Sequence, residues 1–128
     1  GFAQVGLKWP NDLVVADAAG LRKLGGLLVE GGGEAAGAAR AVIGIGINVR
    51  MPLAAAALID QPWIDLAALQ PATSRNDIAA ALLAQLLPAL ETFDRDGLAA
   101  FLPRYAALDA LAGRGVQVQE PGGAWHGV

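Results

Sequence analysis

The sequence predicts an α+β fold in which a mixed, largely antiparallel sheet is followed by two C-terminal helices. Three observations predict it. Short aliphatic runs between Val5 and Val49 are separated by turn residues, Pro10-Asn11-Asp12, Asp17 to Gly20 and a glycine cluster from Gly31. Ile78, Leu82, Leu86, Leu90 and Phe93 recur at helical spacing. Val116 and Val118 alternate ahead of a Pro121-Gly122-Gly123 turn, which reads as a hairpin.

The first strand runs from Gln4 to Trp9, where Pro10 cannot donate to a ladder and forces its predecessor into an extended conformation. Pro-Asn-Asp is turn chemistry, because Asn and Asp side chains bond the backbone two residues on. Leu13 to Ala16 resumes as a short strand, Asp17 to Gly20 turns again, and Leu21 to Glu30 forms a longer strand interrupted by Gly25-Gly26. Glycine inside a strand marks a bulge or the close approach of a ligand to the backbone. Gly31 to Ala39 is expected as a flexible hairpin loop. Ala41 to Val49 then forms a buried strand with Gly44 and Gly46 on one face, open to a bound molecule. Gly44-Ile45-Gly46 is not a dinucleotide fingerprint, since Val49 stands at the third glycine position and no helix follows directly.

From Met51 to Leu69 the pattern is poor, with a helical turn at Ala54 to Ala57 and Trp63 in a loop after Pro62. Ser74, with Asp77 three residues on, starts a helix that reaches about Asp94, widened by Leu83 and Leu87 and kinked at Pro88. A second helix is expected over Leu98 to Leu111, with Pro103 inside it.

Composition sets the outer bounds. A chain of 128 residues, 55% of them hydrophobic, suffices for one domain with a real core. The net charge is −3 and the nine basic residues are scattered, which argues against a nucleic-acid surface. Seven of the nine are Arg, leaving Lys8 and Lys23 as the only lysines; an Arg-rich genome bias is the bland account. Without cysteine there are no disulfides or thiolate metal sites, and without a bilayer-length apolar run or signal peptide a cytoplasmic protein is expected. Gly1 stands where a Met would, and the last residues break off in a hairpin, so a piece of a longer enzyme is expected.

Asn11, Asp12, Lys23 and Asn48 stand between stretches that read as buried strands, where an unpaired amide or charge is costly. The motifs that hold them are K-W-P-N-D-L from Lys8, R-K-L-G-G-L-L-V-E from Arg22 and V-I-G-I-G-I-N-V from Val42. In this order and spacing they resemble the catalytic domain of the biotin protein ligases, and the likeness runs from about Val5 to the end of the chain. The resemblance implies the fold shared with class II aminoacyl-tRNA synthetases. It assigns residues 1–112 to the C-terminal part of the catalytic domain and 113–128 to the start of a small SH3-like β-barrel. It also implies a two-step reaction, in which biotin and ATP, with Mg²⁺, give biotinyl-5′-adenylate and a lysine of a biotin carboxyl carrier protein then takes the biotinyl group.

By the same resemblance Lys23 contacts the biotin carboxylate and the adenylate phosphate, where an ammonium offsets charge on the α-phosphate. Read bare, it is a solvated lysine beginning a strand. Asp12 lies at the adenylate and is a candidate to orient or deprotonate the acceptor lysine, with Asn11 beside it; the bare reading is an ordinary turn. Trp9 shapes the biotin pocket or simply fills the core. Gly26, Leu28 and Gly44 are assigned to biotin, with an unliganded glycine bulge as the alternative at Gly26. Asn48 faces the adenine, and Trp63 stacks near the purine or anchors its loop on the helices. His126 receives no role and no protein ligand for Mg²⁺ is assigned. The family's glycine- and arginine-rich biotin loop lies upstream of Gly1, as does any winged helix for DNA. Two rival readings remain: a lipoate or octanoate ligase of the same fold, and a non-catalytic binding or homodimerisation module whose exposed sheet edges pair with another chain.

Overall fold

A computed structural model describes residues 5–18, 20–32 and 40–128. Strands β1 (Val5–Lys8), β2 (Asp12–Asp17), β3 (Gly20–Gly32) and β4 (Arg40–Ile47) form one sheet in sequence order. Every ladder in it is antiparallel. Among the described residues parallel pairing occurs at two isolated bridges, Leu7 with Asp109 and Lys23 with Trp63. The expected mixed, largely antiparallel sheet thus takes a definite form, a meander with two short parallel additions.

Valine is suited to strands covered on both faces, and β2 is one. Val14 and Val15 point to opposite sides of the sheet and are 2% and 1% exposed. Val15, Leu24, Ile64 and Leu66 form the buried cluster, with Leu13, Ile47 and Ile78 packed around it. The core therefore joins the sheet to the chain that follows β4. That segment contains α1 (Leu53–Ala56) and α2 (Leu66–Leu69). The second of these was not expected; it starts because Asp65 accepts a hydrogen bond from the Ala68 N–H at 3.0 Å.

Helix α3 (Arg75–Asp96) begins where the Ser74 cap requires, with the Ser74 hydroxyl accepting from the Asp77 N–H at 3.1 Å. It continues unbroken through Pro88, whose carbonyl accepts the Thr92 hydroxyl at 2.9 Å. None of its residues is buried, and Leu83, Leu87, Leu90 and Phe93 stand largely exposed.

Three expectations are corrected. The strand over 41–49 is not buried: β4 has no fully buried residue, and Gly44 and Gly46 are exposed. The helix over 98–111 is two pieces, a 3₁₀ turn at Leu98–Ala100 and α4 (Leu102–Leu108). Pro103 lies in the first turn of α4, where its missing N–H is tolerated, so the proline starts the helix instead of sitting inside it. The chain after α4 leaves the helical path to bond β1, with the Ala110 N–H donating to the Leu7 carbonyl at 2.8 Å. The loop expected over 31–39 falls partly outside the described residues; Gly31 and Gly32 still belong to β3.

Strands β5 (Val116–Glu120) and β6 (Gly123–Gly127) form a separate hairpin. Its turn needs glycine, since Gly122 has φ 114°. No helix of the described residues is long and apolar enough to cross a membrane.

Candidate functional site

One irregularity of the sheet sets the site. Val14 pairs with Lys23 and Leu13 with Gly25, so Leu24 is an extra residue in β3. In a regular ladder Lys23 and Gly25 would share a face and Gly26 would lie on the other. The inserted residue changes the parity. Leu24 turns into the core, while Lys23 and Gly26 both come to the face that carries Asp12 and Val14.

Two consequences follow for Asp12. Lys23, diagonal to it across the ladder, brings Nζ to 2.7 Å from Asp12 Oδ1. Lys8, on the neighbouring strand, lies with Nζ 3.8 Å from Oδ2. A mostly buried carboxylate is thus bracketed by the chain's two lysines, of which Lys23 keeps 34% of its side chain exposed. Directly opposite Asp12 is Gly26, and a Cβ there would lie 3.3 Å from Asp12 Oδ1 and 3.4 Å from Lys23 Cε. Glycine leaves the ion pair its room.

Beside the pair opens a groove of about 620 Å³ bordered by Asn11, Lys23, Gly26, Leu28, Gly44 and Asn48. Its floor is backbone. Gly26 pairs with Gly46 and Leu28 with Gly44, so three glycines meet on one face of two adjacent strands. Leu28 is 62% exposed and supplies an apolar wall. A cationic group at one end of an apolar, glycine-floored trough suits a ligand with a hydrophobic body and an anionic terminus.

Asn11 closes the groove at the turn, where its Nδ2 donates to the Leu27 carbonyl at 2.7 Å and its carbonyl accepts the Leu27 N–H at 2.8 Å. Asn48 lies at the other end, its Nδ2 donating to the carbonyls of Lys23 and Ile64, each at 3.2 Å. Trp63 does not border the groove but lies beside Lys23 on the segment that follows α1. The Lys23 N–H donates to Pro62 and the Ile64 N–H to Lys23, both at 2.9 Å, which lays residues 62–64 beside β3. Ile64 packs in the core with Leu24, so the strand alternation turns Trp63 toward the side of Lys23.

Trp9 stands apart. It is 59% exposed in the β1–β2 turn, next to the cis Trp9–Pro10 bond, and neither fills the core nor borders the groove. Conversely, sequence reasoning attached no role to Lys8 or Asp65. For Lys8 the signal was its place four residues before Asp12 in the same motif.

A second, more apolar cavity of about 510 Å³ lies against Pro10, Asn11 and Asp12, walled by Leu7, Val29 and Tyr105. The Tyr105 hydroxyl is buried without a hydrogen-bond partner among the described residues. Burial first, and the nearby Asp109 carboxylate second, raise its pKa above the ordinary 10.0. Among the described residues no three His, Cys, Asp or Glu side chains come together to hold a metal ion.

Fold and site define an antiparallel platform that offers a lysine–aspartate pair at the rim of a glycine-floored groove. The chain is related to the biotin protein ligases, the family its W-P-N-D and K-L-G-G motifs resemble. It is 42% identical over 118 residues to the bifunctional ligase/repressor BirA of Escherichia coli (strain K12). The protein of the same name from Salmonella typhimurium (strain LT2) is 42% identical over 118 residues as well. Each alignment covers 92% of this chain and 36% of the relative, so the chain spans about a third of the length of the curated relatives it matches. No family model matches it.

Proposed function

We propose that the groove is the acyl-adenylate site of a biotin–protein ligase. In this reading residues 1–112 belong to a catalytic domain of the class II synthetase type, and 113–128 begin an SH3-like barrel. The observation that carries the reading is the Lys23–Asp12 pair at 2.7 Å above the glycine floor. Biotin is an apolar bicycle with a carboxylate tail. Its ring lies along Gly26, Leu28 and Gly44, and its carboxylate meets Lys23.

In the first step a carboxylate oxygen of biotin bonds to the α-phosphorus of ATP, and the bond from that phosphorus to the pyrophosphate oxygen breaks. The Lys23 ammonium offsets the charge that gathers on the α-phosphate oxygens, and Asp12 holds that ammonium in place. Asn48 Oδ1 and Trp63 border the adenine. Mg²⁺, which the resemblance implies, would shield the charge of the ATP phosphates when bound with them. In the second step the amine of a carrier-protein lysine bonds to the biotinyl carbonyl and AMP leaves; Asp12 accepts or orients the ammonium proton. The resemblance supports a biotin carboxyl carrier protein as acceptor and a cytoplasmic setting. "Repressor" in the relatives' name is a property of those proteins; the nine scattered basic residues of this chain argue against a DNA surface on it.

Calorimetric titration of the chain with biotin, lipoate and a non-hydrolysable biotinyl-adenylate analogue tests the proposal. Tight binding of the analogue, with biotin preferred over lipoate, supports it. Preference for lipoate moves the reading to the lipoate ligases, and binding of the analogue that survives unchanged in Lys23→Ala overturns the site assignment. A dimerisation role has one observation in its favour, the edge of β4 that no strand of the described residues pairs with, and sedimentation over a range of concentrations measures it.

A further inference from the structure

Asn48 borders the groove, yet most of its hydrogen-bonding capacity is directed into the protein. Its backbone N–H donates to Leu24 at 2.8 Å, and its carbonyl accepts the Leu66 N–H at 2.8 Å. Its side-chain amide has two hydrogens, and Nδ2 has two acceptors, the carbonyls of Lys23 and Ile64. One residue thus ties together the bulged stretch of β3, the end of β4, the 62–64 segment and the start of α2.

The same segments are also joined by the β3–β4 ladder from the Gly25–Ile47 pair onward, by the Ala67 N–H donating to the Val49 carbonyl at 3.0 Å and by the Met51 N–H donating to the Asp65 carboxylate at 2.8 Å; at Lys23 itself the side chain of Asn48 adds to them. The 62–64 segment is attached to β3 by the single bridge at Lys23. Leu24 is the unpaired residue of the bulge toward β2, so its carbonyl needs a donor from the other side, while the Lys23 carbonyl takes the Ile64 N–H at 2.9 Å and has room for a second donor. Asn48 supplies a donor to each.

We infer that Asn48 is a positioning residue, a strut that fixes the backbone of Lys23 and holds Trp63 beside it. Asn48 therefore acts on the biotin carboxylate through Lys23, whose backbone carbonyl it holds. A bare contact to adenine has no such reach. The biotin arm of the test rests on the ligase reading; the strut itself does not.

Asparagine and aspartate are nearly isosteric, which makes Asn48→Asp the decisive variant. It keeps an acceptor oxygen toward the groove but places a second oxygen against two carbonyl oxygens. Amide hydrogen exchange of the chain is followed at Lys23 and Ile64, together with affinities for biotin, AMP and GMP well below the melting temperature. The strut predicts that both amides lose protection and that biotin affinity falls about 5- to 10-fold, the worth of one or two hydrogen bonds. It also predicts an unchanged AMP-to-GMP ratio. Unchanged protection overturns the inference, as does unchanged biotin affinity with a collapsed AMP-to-GMP ratio. If wild-type chain binds no biotin, the ligase reading fails and the exchange data alone decide the strut. If the Asp variant does not fold, Asn48→Ser, which keeps one donor, is read by the same measurements and the same criteria.

Discussion

Lys23 Nζ lies 2.7 Å from Asp12 Oδ1 because Leu24 is inserted between the two residues of β3 that pair with Val14 and Leu13. The bulge therefore decides which face of the sheet Lys23 takes. A one-residue change of parity places the ammonium on the face of the glycine groove, and without it the same lysine would face Gly25's side of the ladder.

Lys23→Ala is expected to weaken binding of a biotinyl-adenylate analogue by about 10- to 100-fold, the range for a charge-assisted hydrogen bond. The pair is partly exposed, so the fold loses only about 0–1 kcal/mol. Asp12→Asn leaves both lysines without their shared carboxylate and weakens binding less. Calorimetry and thermal melts of the same samples separate the two effects; a large melting loss with intact affinity would contradict the assignment.

Gly25 and Gly44 respond differently to a methyl group. A Cβ on Gly25 collides with the Gly46 carbonyl and lies 3.2 Å from Ile47 Cα, so β3 and β4 must separate. Gly25→Ala is expected to cost about 1–3 kcal/mol of stability, as overpacking does. On Gly44 the nearest atom is the Leu28 carbonyl oxygen at 3.5 Å, an ordinary contact. Gly44→Ala folds normally and loses biotin affinity, because its methyl stands on the groove floor. Denaturant midpoints beside ligand titrations check both.

Tyr105 predicts an alkaline limb. Its folded pKa is raised above the ordinary 10.0, by burial and then by Asp109, so the folded state holds the phenol proton more tightly. The stabilisation is fully present below pH 10.0 and is lost as pH rises through the raised value. Tyr105→Phe should remove this dependence. It should not lower stability at neutral pH, since the hydroxyl is buried without a partner. Melting temperatures of both proteins from neutral pH to above pH 10.0 are the check.

Ser74→Ala serves as a control away from the groove. Loss of the bond to the Asp77 N–H should cost about 1 kcal/mol. Ligand affinity should not change, because no residue of α3 borders the groove.

Much of this arrangement is legible in the sequence, for local reasons. Pro10-Asn11-Asp12 and Gly122 mark turns through their own dihedral preferences, and the Ser74 cap sets the start of α3 within its own first turn. The motifs that carry Asp12, Lys23 and Asn48 also point to a shared site before any coordinates, because polar groups between apolar strands need partners. Helix α2 was hidden in a segment without periodicity, since its start depends on one Asp65 carboxylate that also accepts from Met51. The 98–111 helix was misjudged because a proline reads the same in the sequence whether it interrupts a helix or opens one.

By itself, then, the sequence determined the turns around Asn11 and Asp12, the strands of the sheet and the start of α3, because turns, caps and alternation are short-range effects. Only the tertiary structure decided the faces and the partners. The bulge at Leu24, the bracketing of Asp12 by both lysines, the turn of Trp63 toward Lys23 and the engagement of the Asn48 amide all depend on pairings between residues far apart in the chain. Side-chain parity in a sheet reverses with a single inserted residue, and no local pattern records where that residue is inserted.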